Sequence, residues 1–314
     1  MKTFLDYASS KYYAGNPIIS DEEFDKLAEY HSYESVGAPV IGDRIAHAFP
    51  MWSLQKCYDD EPLISLGGVV ASTPKLDGAA VANYYVYGQH VLSLTRGDGK
   101  EGLDITANMR TLIPQEIPYG EVQLLQITGE IVAPKSIDNA RNYAAGALNL
   151  KSVEEFKTRD LHFIAYGVSP NQYETWSEEM GKLHLNSEIQ TVFTTLPEIL
   201  GRYPQDGIVF RIDEYERFNG LGYTAKHPRG AFALKERKSG VITKLLDVEW
   251  QVGRSGVVSP VAILQPVIIG EATVARATLH NIKYIQELNL DIGCLVEVVR
   301  SGEIIPRIVR RVYE

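Results

Sequence analysis

Lys75 lies in the string Pro74-Lys75-Leu76-Asp77-Gly78, and a run of β character follows it at once. A lysine amine attacks an electrophile only when neutral. For a lysine of ordinary pKa, near ~10.4, neutralisation at about pH 7.5 costs roughly 4 kcal/mol, which nearby cations or desolvation can offset. Gly78 would let a ligand approach the backbone closely. Alone, the string is a modest signal, and a surface turn is the plain alternative.

Further phosphate-suited elements follow in order. Thr95-Arg96-Gly97-Asp98-Gly99 joins a glycine-rich turn to a forked cation that suits bidentate phosphate contact. Gly129-Glu130-Ile131 puts one carboxylate on a strand, and Arg141-Asn142 precedes a run of small residues. The stretch 206–211 alternates in polarity, with Asp206 and Arg211 at its ends, and Lys226 and Lys235 flank Pro228-Arg229-Gly230. A lysine nucleophile, extra cations and separated carboxylates suit nucleotidyl transfer assisted by a divalent metal.

The elements that must position these groups read as mixed α+β. Ser20 with Glu23 forms a capping box that starts a helix, and Asp21 and Asp25 share one face of it. Acidic residues in a first turn also suit the helix dipole without any ligand. Residues 36–60 read as irregular. From 74 to about 237, β runs at 79–87, 91–95, 124–131, 161–168 and 207–212 alternate with turns, and helices are expected at 104–111, 135–139 and 175–185. After Gly240 about five short strands and one helix, near 282–288, suit a small Greek-key barrel of the oligonucleotide-binding (OB) type.

Bulk properties narrow the class. The 314 residues suit two domains, and 45% hydrophobic content supplies their cores. No stretch reaches the ~20 apolar residues of a membrane helix, and the first residues lack a secretory h-region. Two distant cysteines, Cys57 and Cys294, make neither a disulfide framework nor a zinc site, which suits a reducing compartment. Net charge is -9, yet residues 226–314 carry 13 Lys and Arg against 9 Asp and Glu. That C-terminal third is therefore the part suited to phosphates.

Taken in order, these strings resemble the bacterial NAD-dependent DNA ligases over nearly the whole chain. They include Tyr12-Tyr13 with Ile19-Ser20-Asp21, Val36-Gly37-Ala38-Pro39-Val40, Pro50-Met51-Trp52-Ser53-Leu54, Tyr166-Gly167, Gln251-Val252-Gly253-Arg254, Ala277-Thr278-Leu279-His280-Asn281 and Arg300-Ser301-Gly302-Glu303-Ile304-Ile305-Pro306. The resemblance implies a helical nicotinamide-binding segment at 1–46, an α+β nucleotidyltransferase (adenylation) domain at 47–238 and a DNA-binding OB-fold at 239–314. It implies that NAD and Mg2+ are used. Lys75 would take AMP from NAD, pass it to the 5′-phosphate of nicked duplex DNA, and allow the 3′-hydroxyl to seal the break. By the same resemblance Lys75, Asp77, Arg96 and Lys235 are catalytic. Tyr12, Tyr13, Asp21, Phe24 and Asp25 meet the nicotinamide half. Leu76, Gly78, Glu130, Arg141, Tyr166 and Arg211 meet the adenylate. Glu130 and Asp206 face the metal, and Arg254, Arg300 and Ile304 face DNA.

Four positions depart from the family pattern. Thr73 stands for a usual Glu, Arg211 for Lys, Asn149 for Arg and Phe24 for Tyr. Cellular members continue into zinc, helix-hairpin-helix and terminal interaction domains. The expectation is therefore a compact monomeric form, cytoplasmic in a bacterium or an infected cell, for which a second ligase subunit or a clamp-like factor is a candidate partner. Two other classes compete: an ATP-using RNA ligase or capping-type enzyme, and a non-catalytic nucleic-acid-binding subunit.

Overall fold

The structure is a computed structural model that describes residues 2–13, 17–31, 33, 44–119, 121–236, 240–252, 258–269, 272–301 and 305–313. It divides into two compact units, Met1–Glu236 and Arg237–Glu314.

The first unit opens with α1 (Lys2–Tyr13), α2 (Asp21–Tyr30), β1 (Ile45–Ala46), β2 (Gln55–Tyr58), β3 (Val70–Leu76), β4 (Ala79–Val86), β5 (Gln89–Thr95) and β6 (Glu101–Gly102). It continues through α3 (Thr106–Met109), β7 (Leu124–Val132), α4 (Ala140–Ala147), α5 (Val153–Lys157), β8 (His162–Ser169), α6 (Trp176–Ser187), α7 (Pro197–Leu200), β9 (Gln205–Ile212), α8 (Tyr215–Leu221) and β10 (Ala231–Lys235). The strands build two four-stranded sheets, ordered β2-β10-β9-β3 and β5-β4-β7-β8, and a pair β1-β6. The chain leaves the first sheet at Leu76 and enters the second at Ala79. Lys75 therefore stands at the seam between the sheets.

β4 is the strand on which both faces of its sheet are buried. Val81 and Tyr85 enter one core with β7, β8 and α6, whereas Ala82, Tyr84 and Val86 enter another with Phe4, Leu5, Tyr7 and Leu27 of the first two helices. Side chains alternate across a strand, so burial on both sides demands an almost unbroken apolar run. α1 and α2 thus share a core with the sheet, and Tyr7 Oη donates to Asp104 Oδ2 at 2.7 Å. The capping box forms as expected: Ser20 N–H donates to Glu23 Oε2 at 2.8 Å and Glu23 N–H to Ser20 Oγ at 3.3 Å.

Three expectations change. Residues 45–46 and 55–58 are strands, because β6 and β10, distant in sequence, supply their partners. The helix expected at 135–139 begins only at Ala140, since Asn139 turns left-handed with φ 51. The helix expected at 104–111 shrinks to α3, because the Asp104 carboxylate takes the Thr106 N–H at 2.9 Å and holds the chain in a turn.

The second unit holds β11 (Val241–Val252), β12 (Val258–Ile269), β13 (Ala272–Thr278), α9 (Ile282–Glu287), β14 (Leu295–Ser301) and β15 (Ile305–Val312). The five strands close into a barrel ordered β11-β12-β13-β15-β14. Leu245, Ala262, Leu264, Val274, Val296, Val298 and Ile308 fill it. Among the described residues no helix is long and apolar enough to cross a membrane.

Candidate active site

The center of the site is a carboxylate between two lysines. Lys75 Nζ lies 2.8 Å from Asp206 Oδ1, and Lys235 Nζ binds Asp206 Oδ2. Three strands deliver them: β3 carries Lys75, β9 carries Asp206 near its start, and β10 ends on Lys235. Gly207, next to Asp206, has φ +148, and a Cβ there would meet the Leu234 carbonyl oxygen at 2.1 Å. Only glycine lets β9 run this close to β10. Burial pushes the Asp206 carboxyl up, but the hydrogen bonds and charges of Lys235 and Lys75 outweigh it and hold the group below the usual range.

Glu130 on β7 borders this cluster. Its Oε1 accepts the Gly78 N–H at 3.2 Å. Burial raises its carboxyl to about 7, with Lys75 and the Gly78 N–H pulling the other way. Gly78 has a different reason from the one expected. A Cβ there would sit 2.1 Å from the Ile131 carbonyl oxygen, so the protein's own β7 backbone excludes a side chain. The Tyr166 phenol, on β8, is pushed well above its ordinary range by burial, with the Glu130 charge adding and Arg96 opposing. Glu130, Tyr166 and Arg96 are therefore electrostatic neighbours.

Two further cations join from loops and helices. Arg96 is exposed on the turn after β5, which Asp98 Oδ1 holds by accepting the N–H groups of Lys100 at 2.9 Å and Glu101 at 3.0 Å. Arg141, in the first turn of α4, reaches Asp77 Oδ1 at 3.2 Å. Asp77 is 8% exposed, and its N–H donates to the Pro204 carbonyl at 2.8 Å.

The other expected site residues divide between those whose side chains are described and those that lie outside the described residues. The Leu76 side chain is buried in the main core, leaving only its backbone to face a ligand. Arg211 lies over the rings of Phe218 at 4.6 Å, Trp176 at 4.9 Å and Tyr215 at 5.5 Å, inside an aromatic cage. Phe24 packs into the N-terminal core with its ring edge-on to Tyr33 at 5.9 Å. Tyr12 and Tyr13 lie on α1, and Asp21 and Asp25 on α2, with their side chains outside the described residues. Arg254 and Ile304 also lie outside them, as does the side chain of Arg300 on β14, together with the strings at 36–40 and 302–304.

Sequence reasoning missed two supports. His47 is buried, with Nδ1 2.8 Å from Tyr84 Oη and Nε2 3.1 Å from the Arg96 carbonyl oxygen, so it anchors the Arg96 turn. Trp176 Nε1 donates to the Tyr166 carbonyl at 2.9 Å while its ring carries Arg211. Neither has a local signal: the partners of His47 lie 37 and 49 residues away, and Trp176 reaches back across ten residues to a strand backbone.

Among the described residues no group of three or more His, Cys, Asp and Glu could hold a metal ion. Both Asp206 oxygens face lysines. Of the two carboxylates expected at the metal, Glu130 is the one not paired with a lysine. That donor set fits Mg2+ bound chiefly through substrate phosphates rather than in a protein cage.

Two family models match this chain. The NAD-dependent DNA ligase adenylation domain matches residues 43–238, and the NAD-dependent DNA ligase OB-fold domain matches residues 242–314. A DNA ligase of Wolinella succinogenes is 34% identical over 97% of this chain and 56% of its own length. DNA ligases of Psychrobacter cryohalolentis and Campylobacter lari are each 32% identical over 99% of this chain, and over 55% and 56% of their own lengths. The chain thus spans about half the length of the curated relatives it matches. With its two units matched by the two models, the chain belongs to the family of NAD-dependent DNA ligases.

Proposed function

We propose that this chain moves AMP from NAD to Lys75, then to the 5′-phosphate of a DNA nick, and completes the seal with the 3′-hydroxyl. The observation that carries this reading is the Lys75–Asp206–Lys235 cluster at the seam of the two sheets, with Glu130 beside it. In the first step the Lys75 nitrogen bonds to the α-phosphorus of NAD and releases the amine proton. The pyrophosphate P–O bond breaks, and nicotinamide mononucleotide leaves with the electron pair. In the second step a 5′-phosphate oxygen displaces Lys75 from that phosphorus. In the third the 3′-hydroxyl attacks the activated 5′-phosphate and expels AMP.

On this reading Lys235, Arg96 and Arg141 face the phosphates, and charges placed in advance favour the transition state. Asp77 holds Arg141 in place. Glu130 receives the ribose, and Tyr166 stacks on adenine. The segment 1–46 supplies the nicotinamide contacts through Tyr12, Tyr13, Asp21, Phe24 and Asp25. Residues 47–238 form the adenylation domain. Residues 239–314 meet DNA through Arg254, Arg300 and Ile304. Mg2+, carried by the NAD phosphates and met by Glu130, would neutralise charge on the transferred phosphoryl group.

Mass spectrometry after incubation with NAD and Mg2+ tests the core of this. The expected result is a gain of one AMP, absent from Lys75→Ala. A gain with ATP but none with NAD would overturn the substrate, and no gain with either would overturn the reaction.

A further inference from the structure

Outside the lysine cluster, one surface pairs exposed rings with cations. Trp52 and Tyr223 stack with centroids 5.1 Å apart and planes 27° from parallel. They remain 39% and 43% exposed. Large aromatic rings stacked on each other yet left open to water mark an interaction surface rather than a core.

The surface is built, not incidental. In the loop after α8, Thr224 Oγ1 accepts the N–H groups of Lys226 at 3.2 Å and His227 at 2.9 Å, and Arg229 N–H donates to the Gly222 carbonyl at 3.0 Å. His227 Nδ1 lies 2.9 Å from the Ser53 carbonyl oxygen, which ties this loop to the segment carrying Trp52. On the other side, Met51 N–H donates to the Gly99 carbonyl at 2.9 Å, joining the same segment to the Arg96 turn. The aromatic pair is therefore continuous with the phosphate-facing edge of the site.

Charge selects the occupant. Segments 50–57 and 221–231 contain Lys56, Lys226 and Arg229 and no Asp or Glu, in a chain of net charge -9. Lys226 and Arg229 are exposed. Flat rings with exposed cations on the same loop match a polyanion that carries planar or sugar faces, which is a nucleic-acid strand. We propose that Trp52 and Tyr223, with Lys226 and Arg229, form a docking surface for the DNA strand beside the nick, with sugars or end bases on the rings and phosphates on the cations. This rests on the DNA-joining reading above.

The test uses the full chain and a nicked duplex in gel-shift titrations, beside the rate of Lys75–AMP formation from NAD. Trp52→Ala and Tyr223→Ala are expected to weaken nick binding about tenfold, within the range for loss of an aromatic contact. Their adenylation rates should stay within about twofold of the parent, the scatter expected of a site not touched. Trp52→Phe should keep most of the binding, which guards against loss through misfolding. Lys226→Glu should weaken binding and flatten its salt dependence. Unchanged nick binding in both alanine variants overturns the proposal. So does a matching fall in adenylation or a raised KM for NAD, which would assign the rings to the dinucleotide. Failure of the parent protein to form the AMP adduct would instead remove the DNA-joining reading itself.

Discussion

Lys75 Nζ sits 2.8 Å from Asp206 Oδ1, and the other oxygen of that carboxylate is held by Lys235. One carboxylate therefore spaces two ammonium groups that would otherwise repel. Asp206→Asn should slow adduct formation by loosening the placement of both lysines, and cost about 1–3 kcal/mol at neutral pH, less than a fully buried pair because all three groups retain some exposure. The sign with pH is fixed by the lowered Asp206 carboxyl. Its stabilisation is present above the unfolded value, near ~3.9, and is lost as pH falls through the folded value. The Tm gap between the parent and Asp206→Asn should thus be full at neutral pH and close in acid. Melts showing a gap that persists undiminished in acid would contradict the pairing.

Glu130 should behave in the opposite sense. Its folded carboxyl is raised from 4.5 to about 7, so the folded protein holds a proton that the unfolded chain has already released. Stability from this group falls as pH rises between those values and is level above them. Glu130→Gln keeps an acceptor for the Gly78 N–H and removes the ionisation. It should stabilise the protein increasingly over that window, by up to ~3 kcal/mol at the top of it, while slowing adduct formation. Melting temperatures across that range check it, and a gain independent of pH would point to packing instead.

Legibility in the sequence followed the range of the forces involved. The Ser20–Glu23 box, the apolar run of β4 and four of the five barrel strands are local patterns that could be read directly, whereas the last strand, β15, had no run of its own assigned. The short strands at 45–46 and 55–58 have no pattern of their own, because β6 and β10 define them. Lys75, Asp206 and Lys235 could be named as candidates from their strings, but their meeting at one carboxylate depends on three strands in register. His47 and Trp176 stayed hidden because they act on backbone carbonyls of other elements, which no local side-chain pattern reveals.

Gly78 separates two explanations of the same conservative change. If it served only to admit a ligand, Gly78→Ala would leave Tm alone and raise KM for NAD. The structure places an added Cβ 2.1 Å from the Ile131 carbonyl oxygen and 3.1 Å from Glu130 Cγ. The β4–β7 pairing must shift to accept it. Gly78→Ala should therefore destabilise by roughly 1–3 kcal/mol, the range for overpacking, and disturb Glu130 as well. Paired measurements of Tm and adduct formation distinguish the cases.

Arg211 offers the last contrast. By resemblance it stands where a lysine meets the nucleotide, yet its guanidinium lies among Phe218, Trp176 and Tyr215. Burial lowers its pKa to about 10, which leaves it cationic at neutral pH. A planar cation can stack on several rings at once, whereas an ammonium is a compact, strongly hydrated charge. Arg211→Ala should cost about 2–3 kcal/mol through lost cation–π contact and lost packing. Arg211→Lys should recover only part of that, and Arg211→Met should recover packing without the charge. Because Trp176 also holds the Tyr166 backbone, the effect should reach the adenine face as a raised KM for NAD that tracks the loss of Tm across the series. A raised KM in Arg211→Met with an unchanged Tm would return Arg211 to direct contact with the nucleotide.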